Sequence, residues 1–87
     1  MKVHKHVFEN SLLGLHSLQL PMKSIVRSAQ VQAGKVVMWY TIPEEVVGTV
    51  ERRFRFYTTG FDSIPLTAAY ISTIQFRDYV LHLFEVE

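Results

Sequence analysis

The stretch Val50-Glu51-Arg52-Arg53-Phe54-Arg55-Phe56-Tyr57-Thr58 decides the fold class. Its side chains alternate. Phe54 and Phe56 fall on one parity, and Glu51, Arg53, Arg55 and Tyr57 fall on the other. Successive side chains of an extended chain point to opposite faces, so a period of two gives one face to a core and one to solvent or a partner. The stretch predicts a half-buried β-strand, closed by Gly60.

Upstream, Val36 to Ile42 is apolar on both parities, with Val36, Met38, Tyr40 and Ile42 against Val37 and Trp39. Such a run predicts a strand buried on both faces, central in a sandwich, or covered by a partner. Ala33-Gly34 before it is a tight-turn signal, so Ile25 to Gln32 and Val36 to Ile42 predict a hairpin. The first of these strands alternates imperfectly, because Arg27 falls on the more apolar side with Ile25, Ala29 and Val31. Further upstream, Lys5 to Glu9 and His16 to Leu20 predict short strands, the second ended by Pro21. Downstream, Phe61 to Thr67 is a longer connection with room for one helical turn. Ala68 to Phe76 and Tyr79 to Val86 then predict a second hairpin around Arg77-Asp78. Glycines and prolines at 14, 21, 34, 43, 48, 60 and 65 leave little room for helices. The expected fold is all-β: a small single-domain sandwich or barrel of six to seven short antiparallel strands spanning residues 1–87.

At 87 residues the core must be thin. Domains of this size usually need a disulfide, a metal or a second subunit, and the absence of cysteine removes disulfides and thiolate metal sites. Very good packing or a homo-oligomer, most simply a dimer, remains. The hydrophobic content of 48% suits either. A formal charge of +1 lacks the basic excess typical of nucleic-acid binders. No apolar run reaches membrane-spanning or signal-peptide length, so no membrane association is expected and a cytosolic location is.

The most suggestive candidate site is the outward parity of the deciding strand. Arg53, Arg55 and Tyr57 would project together, two guanidinium groups beside a phenol. That set suits an acidic patch on a protein partner, since Arg and Tyr are favoured at interface hot spots. It also suits phosphates with a base stacked on the ring. The plain alternative is a solvated face with ion pairs to Glu51 or Glu85. His4 and His6 share a strand face, but nothing in the sequence brings His16, His82 or a carboxylate to them, so no metal site is expected. The aromatics Trp39, Tyr40, Phe54, Phe56, Tyr70, Phe76, Tyr79 and Phe84 read as core at this size. No nucleophile-elbow pattern or Gly-rich phosphate loop occurs, Glu44 and Glu45 are adjacent and would face apart, and Asp62 and Asp78 stand singly in loops. Neither catalysis nor a cofactor is expected.

Several segments together resemble a known family. They are Leu18-Gln19-Leu20-Pro21, Ile25 to Gly34 with Met38-Trp39, Glu51 to Phe56, Thr59-Gly60 with Ile64-Pro65, Tyr70 to Gln75, and His82-Leu83-Phe84-Glu85. In this order they are similar to a family of short, uncharacterised phage and prophage proteins. Two positions depart from its pattern: Phe61 replaces a histidine after the Thr-Gly turn, and Ser72 replaces a glycine. The resemblance implies a small viral protein in the host cytoplasm and no mechanism. Such accessory proteins often bind and block host proteins, including defence systems. The expected function is therefore non-catalytic binding of a host or phage protein through Arg53, Arg55 and Tyr57. Nucleic-acid or nucleotide binding by the same face, and a minor structural role in the virion, are the alternatives.

Overall fold

The computed structural model describes residues 1–9, 11–60 and 63–87. Phe61 and Asp62, singled out above, lie outside the described residues. Seven strands follow one another: β1 (Lys2–Phe8), β2 (Leu15–Pro21), β3 (Ile25–Gln32), β4 (Lys35–Ile42), β5 (Thr49–Thr58), β6 (Ala69–Phe76) and β7 (Tyr79–Val86). No helix occurs among the described residues, and the connection before β6 holds one turn, closed by the Ala68 N–H donating to the Pro65 carbonyl. The strands pair antiparallel into a three-stranded sheet, β1-β4-β3, and a four-stranded sheet, β2-β5-β7-β6. Their inner faces meet in a sandwich whose shortest dimension is 19 Å, as two stacked sheets require. Of the two architectures expected, this is the sandwich.

Two hairpins form where the turn signals stand. Ala33 and Gly34 both have positive φ, 51° and 77°, the combination a two-residue turn needs to match strand twist. Gly34 adopts it freely, and Ala33 bears the strain. The other hairpin turns at Arg77-Asp78, with Arg77 at φ 57°.

The core draws on both sheets. Phe8, Ala29, Val36 and Met38 come from the smaller one. Leu20, Phe54, Phe56, Ile74, Leu81 and Leu83 come from the larger one. Met38, Phe54 and Leu83 have no exposed surface. β4 is the central strand of its sheet and is buried on both faces, as its doubly apolar pattern predicts. Val36 and Met38 enter the core, while Val37 and Thr41 are buried on the outer side among their neighbours. Trp39 lies on that outer side under Lys5, whose Nζ is 5.7 Å from the ring, and its buried indole N–H meets no acceptor among the described residues.

The imperfect alternation of β3 has a structural cause. A bulge between Val26 and Ser28 takes up Arg27 as an extra residue. Val26 thereby shares the inner face with Ala29 and Val31, and Ile25 turns to solvent, reversing the expected assignment of the first two residues. Arg27 Nε donates to Thr41 Oγ1 at 3.0 Å. β6 has a matching bulge between Tyr70 and Ser72. The two bulged edge strands meet at one flank, where Ser72 Oγ donates across the gap to the Ala29 carbonyl at 3.0 Å.

At the other flank, β1 and β2 meet through side chains. The Phe8 ring lies edge-on to His6, His16 and Phe56, with centroids 4.8, 5.0 and 5.0 Å away. His6 is half-buried there. Burial first, and then the neighbouring His16, hold its pKa below the ordinary 6.5, while Glu9 pulls weakly the other way. One end of the sandwich is tied by Arg52, which shares the inner parity of Phe54. Its Nε and Nη2 each donate to a Glu85 carboxylate oxygen at 2.7 Å, and Nη1 donates to the Ser24 carbonyl. The hydrogen bonds to Glu85, with its charge, raise the guanidinium pKa further, against the effect of burial. Glu85 is therefore committed to Arg52 on the inner side and does not pair with Arg53 or Arg55.

Two tests follow from this packing. Phe54→Ala should cost about 3–5 kcal/mol of unfolding free energy, whereas Leu66→Ala, at a fully exposed position, should change it by less than about 0.5 kcal/mol. Urea unfolding followed by circular dichroism measures both. The second test concerns pH. Because the folded-state pKa of His6 is depressed, the unfolded chain protonates first on acidification. His6 therefore contributes full stability above the ordinary 6.5 and loses it as pH falls below that value. Urea midpoints measured from about pH 8 to about pH 5 should drop more for wild type than for His6→Gln. Parallel profiles would show that His6 carries no linkage.

Candidate functional site

The outer face of the four-stranded sheet is assembled by register. Leu15 lies opposite Arg55, Ser17 opposite Arg53 and Gln19 opposite Glu51. On the other side of β5, Arg53 pairs with Val86, Arg55 with Phe84 and Tyr57 with His82. β6 then adds Tyr70 beside Phe84, Thr73 beside His82 and Gln75 beside Val80. Cross-strand partners point to the same side, so all these residues share one surface.

Arg53, Arg55 and Tyr57 lie on that surface, as their parity requires, but the three do not project alike. Both arginines are exposed, and among the described residues neither forms an ion pair. Tyr57 is only 5% exposed, which corrects the expectation of a projecting phenol. Its ring is covered from two directions. Phe84 stands edge-on to it with centroids 5.6 Å apart, and the Arg55 guanidinium lies 5.9 Å from its centroid. A β-strand in the middle of a sheet has neighbours on both sides, and long side chains from them close over a central ring.

The ring that does project is Tyr70, 59% exposed. It stands edge-on to Phe84 at 5.4 Å, so Arg55, Tyr57, Phe84 and Tyr70 form one row across β5, β7 and β6. A chain of polar contacts fixes its outer end. Tyr70 OH lies 2.7 Å from Thr73 Oγ1, Thr73 Oγ1 lies 2.9 Å from His82 Nδ1, and His82 Nε2 lies 2.7 Å from Thr59 Oγ1. A neutral imidazole donates from one nitrogen and accepts at the other, and the hydroxyl groups rotate to match either tautomer. The Thr59–His82 contact resembles a hydroxyl beside a base. The second ring nitrogen, however, meets a hydroxyl and not a carboxylate able to stabilise an imidazolium. The arrangement holds side chains in place more than it activates them.

Tyr70 and Phe84 were expected in the core. They face outward because β6 changes parity at its bulge and Phe84 alternates with the buried Leu83. Tyr79 is likewise exposed, while Trp39, Tyr40 and Phe76 are half-buried and Phe54 and Phe56 are buried as expected. His4 stacks on Tyr40, His6 and His16 meet at the β1–β2 flank, and His82 lies on the outer face of the other sheet. Among the described residues no three His, Cys, Asp or Glu side chains gather in a metal-holding group.

No curated protein and no solved structure matches the chain. Residues 1–87 match one family, described as "Domain of unknown function (DUF7352)". The match spans both sheets and every strand described above, and the chain belongs to this family, the domain of unknown function DUF7352.

Proposed function

We propose that this is a small phage accessory protein, acting without catalysis in the host cytoplasm, that binds an acidic surface of a host or phage protein. The docking surface is the outer face of the four-stranded sheet. The supporting observation is the fixed row of Arg55, Tyr57, Phe84 and Tyr70, flanked by Arg53. Rings and guanidinium groups already held in place lose little freedom on binding, which is what interface hot spots require. Two exposed arginines that form no ion pair among the described residues favour carboxylates opposite them. Nucleic-acid binding by the same face has less support, because the Tyr57 ring that would stack a base is covered.

Self-association is the second part of the proposal. On the outer face of the smaller sheet, exposed Val3 and Ile25 flank Thr41 in one row, next to the row of Lys5, Trp39 and Ser28. Two exposed aliphatic side chains on either side of Thr41 suit the same row of a second copy related by a two-fold axis.

Affinity capture from host lysate tests the docking face. Capture of a partner by wild type should fall on the order of tenfold or more in Arg53→Glu/Arg55→Glu and in Tyr70→Ala, with unfolding midpoints unchanged. Equal recovery by all three would remove this face as the binding surface. Salt-sensitive binding to single- or double-stranded nucleic acid would favour the alternative, and the protein's presence in purified particles would favour a virion role. Light scattering at micromolar concentration should give a dimer that Val3→Glu/Ile25→Glu converts to monomer. A monomeric mass for wild type would overturn the self-association.

A further inference from the structure

The end of the sandwich at the β6–β7 hairpin holds a cavity of about 670 Å³. Phe8, Val36 and Leu81 form its buried floor, and Leu12 and Phe76 line its walls. Size and lining fall in the range of small-molecule sites, roughly 300–1,000 Å³ and mostly apolar with a few polar groups.

Arg77 stands at the mouth of this cavity in a left-handed conformation, φ 57°, that disfavours any residue with a Cβ. That conformation belongs to the turn, as it does for Ala33 in the other hairpin, and it sets where the Arg77 side chain leaves the backbone. The guanidinium lies over Phe76, 5.0 Å from the ring centroid, so a cavity wall holds the cation in place. Among the described residues Arg77 forms no ion pair, although Asp78 is its neighbour in the turn. The other cation at the rim, Lys35, is engaged by Glu9 at 2.7 Å, which also neutralises that carboxylate. Among the described residues this leaves one guanidinium without an ion pair beside an apolar cleft.

We propose that this cavity binds an amphipathic carboxylate, its alkyl tail among Phe8, Leu12, Val36 and Leu81 and its head on Arg77. A guanidinium presents paired N–H donors that match a carboxylate. Each buried methylene of the tail adds about fourfold in affinity. The site shares no residue with the docking face, so the two proposals stand or fall separately.

Titration of the full chain with octanoate, followed by 1H–15N NMR, tests it. Saturable shifts are expected at the amides of Leu12, Val36 and Leu81. Hexanoate, two methylenes shorter, should bind about an order of magnitude more weakly. Octyltrimethylammonium, with the charge reversed, should bind at least about tenfold more weakly than octanoate. Arg77→Gln should lower octanoate affinity about five- to tenfold and leave that of 1-octanol unchanged, and Arg77→Lys should restore part of the loss. Arg53→Glu/Arg55→Glu should bind octanoate as wild type does. The proposal is overturned by the absence of saturable shifts, by shifts that map elsewhere, or by equal binding of the cationic amphiphile. The last comparison uses wild type alone, so it decides even if a turn variant fails to fold.

Discussion

No cysteine crosses this sandwich, so its two sheets are held together by side-chain packing, to which the inner face of β5 contributes two buried rings. Phe54 is fully buried, and Phe56 lies edge-on to Phe8 of the opposite sheet. Polar contacts then bound the apolar centre. Arg52 and Glu85 tie β5 to β7 and to the turn after β2 at one end, and Ser72 reaches across to Ala29 at one flank. Each of these has a specified partner, which suits a thin core. Apolar contact alone tolerates sliding between sheets, whereas a donor aimed at one carbonyl does not.

The same inner commitment creates the outer surface. Strand geometry gives every inward Phe an outward neighbour, so anchoring β5 by Phe54 and Phe56 fixes the direction of Arg53, Arg55 and Tyr57. β7 extends the row because Leu81 and Leu83 are inward. The face is therefore rigid for reasons belonging to the core, and the contacts from Thr59 through His82 and Thr73 to Tyr70 add rigidity at its margin.

All seven strands could be read from the sequence because their signals are local: alternation, and glycine or proline at the ends. β5 and β7 kept the expected parity throughout. The bulges in β3 and β6 were not legible, because no local signal marks the extra residue, which shows only in the register against the next strand. This is why Ile25 and Val26 were assigned the wrong way round and why Tyr70 was placed in the core. Of the site, the two arginines were legible from alternation alone. The cover over Tyr57 was not, since it depends on which strand lies beside β5. Arg52 was equally hidden: only the register of β5 against β7 shows that it meets Glu85.

The paired bulges have a consequence for how this sequence can vary. Each divides one strand into two segments with opposite inward parity. Adjacent residues such as Ile25 and Val26, chemically near-equivalent, therefore face different selective demands. Ile25, at 45% exposure, answers to the outer face, whereas Val26 packs against the core. An alignment of this family would show a shift in hydrophobic phase within single strands, at Arg27 and again at Ile71. Loss of the extra residue, Arg27 or Ile71, would remove the bulge and leave the flanking residues in register, whereas loss of a residue elsewhere in either strand would turn the segment beyond it to the wrong face.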